Sequence, residues 1–67
     1  MNWSLVTESG ELAVEGAEYL TFRGEKVILT GGRPPHKEGS SGKVYLQEGT
    51  STREYYPSVI NLKWVSQ

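Results

Sequence analysis

Apolar residues along this chain come in short alternating bursts, not at the three-to-four-residue spacing of an amphipathic helix. Lys26-Val27-Ile28-Leu29-Thr30 is the clearest burst, with Val27 and Leu29 on one face and Ile28 on the other. In Lys43-Val44-Tyr45-Leu46-Gln47, Val44 and Leu46 share a face and Tyr45 points away. Near the C-terminus, Ile60, Leu62 and Trp64 alternate with Asn61 and Lys63. Weaker runs, rich in the β-branched and aromatic residues that suit strands, cover residues 3–7, 11–14, 19–22 and 52–56. Turn residues separate them: Ser9-Gly10, Glu15-Gly16, Arg23-Gly24, Gly31-Gly32, Gly42 and Gly49. The pattern predicts an all-β domain with a core of Val27, Leu29, Val44, Leu46, Ile60, Leu62 and Trp64, supplemented by Leu20 or Phe22.

Between the two clearest strands lies Gly31-Gly32-Arg33-Pro34-Pro35-His36-Lys37-Glu38-Gly39-Ser40-Ser41-Gly42, predicted as a single long loop. Its two prolines favour extended backbone and its Gly-Ser-Ser-Gly end is flexible. Loops of this length in a small domain tend to carry function or mobility.

Size narrows the architecture. A chain of 67 residues is one domain. Seven short strands in so few residues can hardly form a two-sheet sandwich of normal size, and a bent barrel hides its edges better. Domains of this size rarely gain more than about 3–5 kcal/mol from a single core. With no cysteine there is no disulfide to help, so a partner subunit becomes a candidate source of stability.

Two segments resemble known folds. Glu54-Tyr55-Tyr56-Pro57-Ser58-Val59 followed by Ile60-Asn61-Leu62-Lys63-Trp64-Val65 resembles the end of an SH3-type barrel, where a strand feeds a one-turn 3₁₀ helix at Pro-Ser and then a last short strand. Residues 26–32, the long loop and Gly42-Lys43-Val44-Tyr45-Leu46 are similar to the first hairpin of SH3-like barrels, and loosely to the KOW element. The resemblance, over about residues 26–65, points to a small SH3-like barrel of five to seven short strands, of the kind found in small bacterial and phage proteins. The Ala-Leu-Tyr-Asp-Tyr strand and acidic loop of signalling SH3 domains are missing, so poly-proline binding is not implied. Residues 1–25 have no counterpart and would form an extra hairpin or a strand that pairs with a neighbouring subunit.

Composition then narrows function. Without cysteine or aspartate, and with one histidine, the chain lacks a Ser-His-Asp set, a cysteine nucleophile and a thiolate or two-imidazole metal site. The glycine-bearing stretches are followed by strands, so none is a phosphate loop at a helix start. We therefore expect no enzyme activity and no cofactor. A formal net charge of -1 disfavours nucleic-acid coating by bulk charge. The charge is uneven: residues 1–20 hold Glu8, Glu11, Glu15 and Glu18 with no basic residue, so -4, whereas residues 21–67 hold seven basic residues against four glutamates, so +3. Such a dipole can orient a partner or pair copies head to tail. No run approaches the roughly 18 apolar residues of a membrane span, and the N-terminus lacks a signal-peptide pattern, so a cytoplasmic location is expected.

The expected function is a non-enzymatic binding or adaptor module acting through protein–protein contact. Its candidate contact residues are Arg33, Pro35, His36 and Lys37 on the loop, with Tyr45 and Tyr55 as exposed aromatics able to stack or meet cations. A KOW- or Tudor-like nucleic-acid binder using Arg33, His36, Lys37 and Lys43 is the alternative, and a structural subunit of a homo-oligomer is the third.

Overall fold

The computed structural model describes residues 2–37 and 39–66; Met1, Gln67 and the loop residue Glu38 lie outside the description. Six strands and one 3₁₀ turn follow in chain order: β1 (Trp3–Thr7), β2 (Glu18–Leu20), β3 (Lys26–Arg33), β4 (Lys43–Glu48), β5 (Ser51–Tyr55), the 3₁₀ turn (Pro57–Ile60) and β6 (Leu62–Ser66). They build two antiparallel sheets, one of order β2-β3-β4-β5 and the other of β1 and β6. The all-β expectation holds. The two sheets are not joined into a closed cylinder.

The period-2 pattern explains the larger sheet. Val27 and Leu29 of β3, and Val44 and Leu46 of β4, are fully buried, and Leu29 lies directly opposite Leu46. Ile60 and Leu62 complete this cluster from the 3₁₀ turn and β6. Burying each such side chain contributes about 1.5–3 kcal/mol, which makes this cluster the main source of stability in so small a domain. Val6 is also buried, from β1, a residue absent from the expected core. Leu20 and Phe22, expected to supplement the core, are 56% and 72% exposed. Leu20 sits directly opposite Lys26, on the face that Val27 and Leu29 turn away from.

Three expectations are corrected by backbone geometry. Residues 11–14 form no strand; a turn bonded from Thr7 to Glu11 brings Leu12 beside Val6 in a single bridge, so the extra hairpin is rudimentary. β1 finds its strand partner within the chain, in β6. The predicted loop begins too early, because Gly31, Gly32 and Arg33 continue β3 and pair with Tyr45, Val44 and Lys43. A register shift between Leu29 and Gly31 marks the change, and the Thr30 hydroxyl donates to the Tyr45 carbonyl across it (3.1 Å).

The C-terminal turn follows the expected pattern. Pro57 opens it, and Asn61, in the left-handed region at φ 60°, closes it by donating its N–H to the carbonyls of Pro57 and Ser58. The chain thereby leaves the larger sheet and enters β6. Ile60 belongs to this turn and not to the last strand. Trp64 is not sealed inside a cylinder; it is half-buried, packs on Gly32 and Gly42, and donates its indole N–H to the Lys43 carbonyl (3.2 Å).

Candidate functional site

The segment from Pro34 to Gly42 leaves the sheet at the end of β3 and returns at the start of β4. Its two ends are drawn together by the Arg33–Lys43 pairing and by the Trp64 ring beneath. Gly42 adopts φ +71°, and a Cβ there would stand 2.8 Å from the Arg33 carbonyl and 2.6 Å from the indole. Only glycine combines that backbone conformation with so close an approach. Within the segment, Ser40 N–H donates to the Lys37 carbonyl (3.2 Å) and Gly42 N–H to the Ser40 hydroxyl (3.3 Å).

A groove of about 490 Å³ opens along this segment, with Arg33, His36, Lys37, Lys43 and Tyr56 contributing its chemistry. Lys43 seats its ammonium 3.6 Å from the centre of the Tyr56 ring, and Tyr56 remains 57% exposed. A cation–π contact at an exposed site is worth about 0.5–1 kcal/mol, enough to hold the long lysine side chain in one orientation. Arg33 reaches over to Glu54 of β5 (3.0 Å). Both side chains are well exposed, so this pair contributes at most about 1 kcal/mol and opens easily to a competing carboxylate or phosphate. It is the one ion pair among the described residues.

The structure brings together three of the six candidate residues, Arg33, His36 and Lys37. Pro35 is buried on the other side of the loop, lining a cavity of about 340 Å³ with Trp3, Pro57, Leu62 and Trp64. Tyr45 is half-buried and lies across Gly31 in a separate apolar cleft of about 510 Å³ that also holds Leu12 and Trp64. Tyr55 faces the core side of β5 opposite Val44, and its phenol donates to Glu48 (2.5 Å). The three are therefore not part of the groove. Tyr56, an uncommitted aromatic in the sequence but passed over there in favour of Tyr45 and Tyr55, takes the aromatic place beside Lys43. Its orientation was readable in principle: two adjacent extended residues point oppositely, so once Tyr55 pairs with Val44, Tyr56 must face outward.

The chain matches no family model, no curated protein and no solved structure in the comparisons made. Chemistry must therefore be argued from the groove. It offers cationic and aromatic groups but, among the described residues, no pair of carboxylates. Among the described residues no group of three or more histidine or glutamate side chains stands close enough to hold a metal ion. No helix among the described residues is long and apolar enough to cross a membrane.

The Tyr55–Glu48 contact has its own consequence. Donation to the Glu48 carboxylate, followed by desolvation, raises the Tyr55 pKa above its ordinary 10.0. The folded state thus keeps the phenolic proton longer than the unfolded chain does. This contribution to stability is complete below pH 10 and is lost as pH rises through the raised value. In a spectrophotometric alkaline titration, Tyr55 should ionise above pH 10, and Tyr55→Phe should remove that step.

Proposed function

We propose that the protein is a non-enzymatic binding module, an open variant of the SH3-like barrel, that takes an acidic segment of a protein partner into the groove between Arg33, Lys37, Lys43 and Tyr56. The observation that carries this is the Lys43 ammonium held over the exposed Tyr56 ring at the rim of a groove that two further basic side chains flank. An anionic side chain entering there meets pre-oriented positive charge, and its aliphatic part meets Pro34 and Tyr56. The groove sits on a loop anchored at both ends by paired strands, an arrangement suited to recognition.

Titration of a synthetic Glu- and Leu-rich peptide, followed by amide chemical shifts, tests the proposal. Binding should perturb Arg33, Lys37, Lys43 and Tyr56 and leave Tyr55 unmoved. Tyr56→Ala should weaken it about two- to fivefold, the value of one exposed cation–π contact. Lys37→Ala/Lys43→Ala should weaken it about tenfold or more, since it removes two of the three basic groups. No binding at low salt, or binding indifferent to the double variant, overturns the proposal.

The same groove also favours a second reading, because a basic rim around an exposed aromatic is how single-stranded nucleic acid is gripped. A single-stranded RNA oligonucleotide in the same titration discriminates. Three or four phosphate contacts would give a log–log salt slope of about -2 to -3, and tighter binding of RNA than of the peptide would favour this reading over the first.

A further inference from the structure

We infer that the acidic segment taken by this groove is supplied by a second copy of the chain, which docks its residues 8–15 into the groove of its neighbour, head to tail. The inference rests on the groove reading above and adds the identity of the partner.

The first ground is charge without internal compensation. Glu8, Glu11, Glu15 and Glu18 form no ion pair with any described residue, and neither do Lys37 and Lys43. With Arg33 already paired to Glu54, the segment 34–43 keeps Lys37 and Lys43 against Glu38, so +1, while the segment 8–18 stands at -4.

The second ground is position. β1 begins at Trp3, which shares a cavity with Pro35, Ser40 and Ser41 of the loop, and ends at Thr7, where the acidic turn starts. The turn leaves β1 beyond Thr7, at the end of the strand opposite to Trp3. Among the described residues, Glu8 and Glu11 form no ion pair with the groove of their own molecule.

The third ground is apolar surface next to the charge. Leu12 and Val14 follow the acidic turn and are 66% and 59% exposed. Placed in a neighbour's groove, they would cover Pro34 and Tyr56 while the glutamates meet Lys37 and Lys43. The turn is also preformed: Thr7 N–H donates to the Glu11 carbonyl (2.8 Å), and Glu11 N–H donates to the Thr7 hydroxyl (3.1 Å). Little ordering entropy is therefore lost on docking.

A contact of this kind uses different surfaces on the two copies, so it propagates as a chain or closes as a ring. Its small area places it among weak, transient encounters, so association should show only at about millimolar protein.

Sedimentation of the full chain at low salt tests this. The wild-type average mass should rise with concentration, and raising the salt about tenfold should weaken association by about tenfold. The arm variant Glu8→Lys/Glu11→Lys and the groove variant Lys37→Glu/Lys43→Glu should each remain monomeric alone. Mixed together they should associate, because the intact arm of one meets the intact groove of the other. Far-UV circular dichroism of each variant separates loss of association from loss of fold.

A wild-type chain that stays monomeric, or either variant self-associating as the wild type does, overturns the inference. If the chain stays monomeric while the Glu- and Leu-rich peptide still binds, the groove proposal survives and the partner is another protein. If neither associates, both fall.

Discussion

Gly42→Ala should cost about 2–5 kcal/mol and leave the protein largely unfolded at room temperature. Two costs combine. An alanine at φ +71° loses about 1–2 kcal/mol to the left-handed backbone. Its methyl would also stand 2.8 Å from the Arg33 carbonyl and 2.6 Å from the Trp64 ring, an overpacking that costs about 1–3 kcal/mol. The carbonyl belongs to the ladder between β3 and β4, so it cannot yield as a flexible side chain would. The control is Gly39→Ala in the same loop. Gly39 also has positive φ, at +86°, but nothing lies within 4 Å of its would-be Cβ, so only the backbone cost of about 1–2 kcal/mol applies. Urea unfolding midpoints should separate the two variants clearly. Equal midpoints would mean that the close approach at Gly42 is absent.

Leu46→Ala should cost about 2–5 kcal/mol, comparable to the whole stability expected of a domain this size. Leu46 has no exposed surface, and it faces Leu29 at the centre of the larger sheet. With few other buried side chains to collapse inward, a cavity left there has little to fill it. Leu12→Ala should change stability by less than about 0.5 kcal/mol, because Leu12 is 66% exposed. Thermal unfolding of the pair checks this, and a Leu46→Ala protein that melts like the wild type would contradict the placement of the core.

The core of the larger sheet was legible because period 2 is a local signal. Val27, Leu29, Val44 and Leu46 needed only their own alternation to be assigned inward. The Pro57 turn was legible for a similar reason, since proline and the residues beside it have few conformations available.

What escaped depends on contacts between distant residues. Gly31-Gly32 looks like a loop start, because glycine is a turn signal when read alone. In the fold, a Cβ on Gly32 would lie 2.6 Å from Trp64, thirty-two positions further along, so its lack of a side chain serves close approach and the strand continues. Leu20 and Phe22 look like core by composition, but the pairing of β2 with β3 turns Leu20 outward.

The candidate site divided for the same reason. The charged loop residues Arg33, His36 and Lys37 could be read as a cluster from proximity in sequence. Its aromatic member could not, because choosing Tyr56 over Tyr45 or Tyr55 needs the register between β4 and β5. Lys43 was noted only as a phosphate contact; its role beside Tyr56 again comes from the fold.

The groove exists because the Trp64 ring, laid across Gly32 and Gly42 and bonded to the Lys43 carbonyl, ties the two ends of the loop together. Proton NMR tests that contact most directly. Cross-peaks should join the Trp64 indole to the α protons of both Gly32 and Gly42, with the Gly42 α protons moved upfield by the ring. Absence of those cross-peaks, with the Trp64 indole proton exchanging with water as fast as that of a free tryptophan, would contradict the account.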